Sequence, residues 1–203
     1  MWIKGSALLA ATVDGRWTPG IGDPTPMGWF TVVAYVGTAV ICWRAARLGA
    51  LRMDASLSRH HVAFWTILSI VLALLAVNKQ LDLQTLITDV GRTLARQQGW
   101  YDQRSVVQMA FIGIVATVCL VSLVAFVWCM RDIARRHVLA IVGLTFLLGF
   151  ILIRASSFHH MDRLIGATFV GLRMNWIFEL GGIGLVCVSA IRAWRKNQVQ
   201  PLT

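Results

Sequence analysis

Charge is scarce in this sequence: Asp, Glu, Lys and Arg make up 14% of its 203 residues, where a soluble domain of that size carries about a quarter. The deficit points to lipid rather than water as the main solvent. Acid is the scarcer sign, with nine Asp and Glu against 19 Lys and Arg and a net charge of +10. That excess of base does not mark a nucleic-acid binder, because the cations border apolar blocks instead of gathering on one polar face. Cysteine is also sparse. Cys42, Cys119, Cys129 and Cys187 all fall inside apolar blocks with no CxxC spacing, which argues against a disulfide framework or a zinc knuckle. There is no GxSxG, no HExxH, no P-loop and no GxGxxG opening a helix, so no motif names a reaction.

What is abundant is apolar sequence in long runs: 57% of the chain is hydrophobic and the mean hydropathy is +0.68. Crossing a bilayer takes roughly 20 mostly apolar residues in a helix. Five blocks meet that need, at about 27–46, 60–78, 105–130, 137–154 and 174–192. Short alternating segments of the kind that close a barrel are missing, and a segment in hydrocarbon must satisfy its own backbone. The expected fold is all-α, a single integral membrane bundle over residues 1–203 with five transmembrane helices. The apolar run Ala7–Val13 is at the short limit for a signal-peptide core and lacks a small-x-small cleavage site before Asp14, so this stretch is expected to stay in the mature chain.

Orientation follows from where the cations lie. Arg44, Arg47, Arg52 and Arg59, then Arg131, Arg135 and Arg136, then Arg192, Arg195 and Lys196 crowd short segments on one side. The remaining cations are spread over about twice that length on the other side. The dense side is expected to be cytoplasmic, with the N-terminus outside and the C-terminus inside.

The outer connections carry their own patterns. Trp17–Pro26 holds three prolines and two glycines, which favours turns over helix. Between about 80 and 98, Leu83, Leu86, Ile87, Val90 and Leu94 recur at helical spacing opposite Asp82, Gln84, Thr85, Asp89, Arg92 and Arg96. This pattern predicts an amphipathic helix lying in the outer interface or capping the bundle. Gly99 would end it, with Trp100 and Tyr101 anchoring the return at headgroup level.

Three groups of residues could carry chemistry. Arg154–Arg163 gathers His159, His160 and Asp162 between two arginines at the outer end of the fourth block. These are zinc-ligand types, and a catalytic zinc uses three protein ligands and one open position. Adjacent histidines on a helix point about 100° apart, so sharing an ion requires the helix to have ended. His159 and Asp162 could equally serve as bases, with Asp23, Asp82 or Glu179 completing a set. Second, Glu179 is the one carboxylate inside an apolar block. Such a group is costly in lipid and needs a partner, for which Arg154, Lys79 and His159 are the candidates. Third, Asn78, Lys79, Gln80 and Asp82 face Trp100, Tyr101, Asp102 and Arg104 across the outer connections. With Arg154, these cations suit an anionic lipid headgroup or lipid-linked phosphate. A haem would need facing histidines, and His60 or His61 with His137 is the only such pair.

The segments Trp17–Thr25, Asn78–Gln84, Gly99–Arg104 and His159-His160 together resemble a group of uncharacterised bacterial multi-pass inner-membrane proteins. The resemblance implies the membrane architecture and a bacterial inner-membrane location, and carries over no catalytic residue. The expected role is an accessory or scaffold subunit whose outer face binds a lipid, a lipid-linked group or a partner protein, within a larger membrane complex or a homo-oligomer and without nucleic acid. Alternatives are a metal-dependent hydrolase or transferase at the outer leaflet, or a proton- or ion-coupled transporter subunit with Glu179 as carrier.

Overall fold

A computed structural model describes residues 12–13, 16–17, 21, 23–52, 55–98, 104–156, 168–169 and 172–199. Among these the chain is helical apart from two antiparallel ladders two residues long. Strand β1 (Thr12–Val13) pairs with β2 (Arg16–Trp17), and β3 (Thr168–Phe169) with β4 (Leu172–Arg173). The helices are α1 (Pro26–Arg52), α2 (Ala55–Leu81), α3 (Leu83–Gln97), α4 (Arg104–Cys129), α5 (Arg131–Ala134), α6 (Val138–Ser156) and α7 (Met174–Val199).

Three of these are long and apolar enough to cross a membrane, over Pro26–Leu51, Ser58–Leu81 and Ile112–Cys129. This is a membrane protein by length and composition of its helices. Helix α6 is apolar over Val138–Leu152 but shorter, and α7 carries Glu179 and a basic end.

Helix α1 begins where its sequence tells it to. Thr25 caps it by accepting the Gly28 N–H on Oγ1 at 3.0 Å, and Pro26 takes the first helical position, where a missing N–H costs nothing. At the far end of α2 the chain breaks at Asp82, the one described non-glycine residue with positive φ, at 46°. A single left-handed residue is tolerated by aspartate. Here it separates α3 from α2 as an independent helix.

Helix α1 packs along α2 and α7, and α6 packs along α7. Between apolar helices in lipid, close van der Waals fit replaces the hydrophobic drive, and small residues permit it. Ala39, Cys42, Ala45 and Ala46 of α1 and Ala190 and Ala193 of α7 are buried at these seams, beside Leu68 and Leu72 of α2 and Val186 of α7. Cys42 acts there as a small apolar side chain. Helices α6 and α7 touch where Gly143 meets Gly182: a Cβ at 143 would stand 2.7 Å from the Gly182 carbonyl oxygen. Of the three glycines that the sequence places together in α7, Gly182 makes this crossing, while Gly181 and Gly184 face open space. Helix α4 is peripheral, and none of its apolar span is buried.

Candidate functional site

At the end of the bundle where α2 stops and α1 and α7 begin, charged side chains close into a ring. The Lys79 ammonium donates to Glu179 Oε2 at 3.0 Å and lies 3.6 Å from Asp23 Oδ2. Tyr35 donates its hydroxyl hydrogen to Glu179 Oε1 at 3.3 Å. Asp23 Oδ1 accepts the Thr25 hydroxyl at 2.6 Å and, more weakly, the Thr25 N–H at 3.3 Å. Since Thr25 also caps α1 through Gly28, an unbroken chain of contacts runs from α1 through Asp23 to α2, on to α7, and back to α1 at Tyr35.

Burial makes this ring consequential. The side chains of Lys79 and Glu179 are 4% and 2% exposed, and that of Asp23 is 27% exposed. A lone charge so deep would cost several kcal/mol, so each needs its counter-ion. The helices help. Lys79 lies in the last turn of α2, where the helix dipole favours a cation. Glu179 is within two turns of the start of α7 and Asp23 lies just before α1, where it favours anions. Desolvation pushes the Asp23 carboxyl up, but the Thr25 hydrogen bonds and the Lys79 charge outweigh it and hold the group below its usual value of 3.8.

Beside the ring is a cavity of about 20 Å³ lined by Tyr35, Leu75, Asn78, Lys79, Asp82, Phe150, Ile151 and Glu179. That is room for about one water molecule. Gln80, next to Lys79, buries both amide atoms without a partner among the described residues.

The residues singled out by sequence divide accordingly. Glu179, Lys79 and Asp82 converge on this cavity, and Asp23 meets Lys79 beside it. Of the three candidate partners for Glu179, Lys79 is the one that pairs with it. With two carboxylates already on its ammonium, Lys79 offers a further anion less than a free cation would. Arg104 opens α4 and Arg154 lies in the last turn of α6, but their side chains, like His159, His160 and Asp162, lie outside the described residues. Among the described residues no group of three or more His, Cys, Asp or Glu is placed to hold a metal ion. Tyr35 was not anticipated. The available signal was a phenol in the middle of an apolar block, where its hydroxyl must find an acceptor.

The opposite end holds a second polar cluster. His61, 3% exposed, accepts the Trp65 indole N–H on Nε2 at 3.2 Å. Its ring lies 6.1 Å from that of His137, which packs 4.9 Å from Trp65 and stacks on Phe64 at 5.9 Å. These imidazoles are packed into an aromatic cluster, and Trp65 already occupies the His61 Nε2 lone pair that would bind an iron. His61 Nδ1 has no hydrogen-bond partner among the described residues and presses on Gly49, where any Cβ would collide with the ring.

Compared with known proteins, the chain matches no family model, no curated protein and no solved structure.

Proposed function

We infer that this protein is a bacterial inner-membrane protein of five spans, N-terminus outside and C-terminus cytoplasmic, acting as an accessory or scaffold subunit that presents its outer face to a lipid or a partner protein. The observation that carries this reading is the ring of Asp23, Lys79, Glu179 and Tyr35 beside a cavity the size of one water. Its single ammonium is already shared by two carboxylates, so it offers little to a further anion, and among the described residues the space beside it holds about one water molecule. Such an arrangement fixes the entry of α1 and the ends of α2 and α7 in register, which suits a surface that must be presented rigidly. The gathering of Arg44, Arg47, Arg131, Arg135, Arg136, Arg192, Arg195 and Lys196 at the other end supports the orientation.

Native mass spectrometry of the protein, extracted from its own membranes in a mild detergent, tests the role. A complex of defined stoichiometry with another subunit or with bound phospholipid is expected. A lone monomer carrying stoichiometric zinc would overturn the reading in favour of a metal-dependent hydrolase or transferase built on His159, His160 and Asp162.

A second reading rests on the same pair. A carboxylate buried inside an apolar helix beside a water-sized cavity is the kind of group that marks ion pathways in membrane proteins, which would make Glu179 the carrier of a proton- or ion-coupled transporter subunit. Dissipation of an imposed pH gradient across vesicles containing the purified protein, lost in Glu179→Gln, would favour it.

A further inference from the structure

Helix α3 leaves an apolar stripe uncovered at the level where α2 leaves the membrane. Leu86, Val90 and Leu94 follow one another at four-residue spacing. Leu86 is half-buried, while Val90 and Leu94 are 50% and 43% exposed. Asp89 and Arg96 lie away from that stripe by helical register. The helix is too polar to cross a bilayer, and fifteen residues form only a marginal helix in water by themselves. Within the chain α3 meets β2, a contact that leaves Val90 and Leu94 open.

Its position says what covers them. The apolar span of α2 runs to Leu81, and its own outward side chains Ile70, Leu74, Val77 and Leu81 are exposed up to that last residue. A single left-handed residue, Asp82, then separates the span from α3. Helix α3 therefore starts one residue beyond an apolar span whose outward side chains are exposed to its end. A helix tethered so closely to the end of a span starts at the interface, and an amphipathic helix there gains by lowering its apolar side chains among the acyl chains.

We propose that α3 is an in-plane anchor, with Val90 and Leu94 inserted into the bilayer leaflet at the Lys79 end of the bundle. Asp82 is both the joint of this anchor and a wall of the cavity beside Glu179, so the seating of α3 on lipid and the geometry of the charged ring share a residue. The assignment requires only that α2 spans the membrane, and holds for either orientation of the bundle.

The test uses the full-length protein at high dilution in phosphatidylcholine–phosphatidylglycerol vesicles containing a trace of phospholipid with a diazirine in the upper part of one acyl chain. After photolysis, lipid adducts are located by mass spectrometry. Adducts on Ile114 of α4, exposed near the start of its apolar span at the Lys79 end, are expected as the reference, and adducts on Val90 and Leu94 at least about fivefold above Asp89 and Arg96, as an in-plane helix requires. Labelling of α4 without labelling of α3 would overturn the anchor. Absence of adducts on both helices would overturn the membrane placement itself.

Discussion

The two ends of the bundle handle buried polar groups in opposite ways. At one end Lys79, Glu179, Asp23 and Tyr35 satisfy one another across three helices. At the other, His61 and His137 pack against Phe64 and Trp65, with Phe126 stacked behind Phe64, and His61 Nδ1 faces the backbone of Gly49 without a hydrogen-bond partner among the described residues. Charge and neutrality explain the contrast. A charged side chain in an apolar interior needs its counter-ion beside it, whereas an imidazole can stay neutral and use its ring as a packing surface. The charged end is thus fixed by pairing and the aromatic end by shape.

Several experiments would break or sharpen this contrast. Removing one partner at the charged end should have the largest effect: Lys79→Met leaves Glu179 buried with only a tyrosine, and a loss of about 3–5 kcal/mol is expected, read as the fall in unfolding free energy in mixed micelles. At the aromatic end Gly49→Ala should cost about 1–3 kcal/mol by overpacking against His61, with a changed Trp fluorescence from Trp65. Gly28→Ala should likewise cost about 1–3 kcal/mol, because its new methyl would stand 2.5 Å from the Asp23 carbonyl oxygen and must shift that backbone as well as the carboxyl that meets Thr25 and Lys79.

The smallest effect is in pH. Because Asp23 is held below its usual value, its contribution is present above about pH 4 and is lost as pH falls through the lower folded-state value. Asp23→Asn should remove that part of the acid dependence and leave stability near neutral pH slightly reduced. An unchanged acid profile in Asp23→Asn would detach Asp23 from the ring.

Much of this architecture was legible in the sequence, for reasons that differ by element. Apolar runs of the required length announce α1, α2 and α4 because lipid allows little else. The periodicity of Leu86, Val90 and Leu94 announces α3. Its start was less legible: polar Asn78–Asp82 reads as the beginning of the outer helix near 80, but α2 continues through Leu81 because Lys79 can stay helical while its ammonium reaches Glu179. The demand of Glu179 for a partner followed from the cost of burying it. The choice of Lys79 over Arg154 or His159 did not, since it depends on which helices are neighbours. Tyr35 was missed for the same reason. His61 and His137 were paired by their position at the same end of two apolar blocks, but the surrounding aromatic packing and the contact of Gly49 with His61 are products of tertiary geometry.

The most direct test of the account is a double-mutant cycle on Lys79 and Glu179, with unfolding free energies measured for Lys79→Met, Glu179→Gln and the double variant in the same micelles. The account predicts that each single change costs about 3–5 kcal/mol and that the double variant costs less than either, since two neutral side chains leave no uncompensated charge. Additive losses would contradict it, showing that the two side chains do not hold the bundle together as a pair.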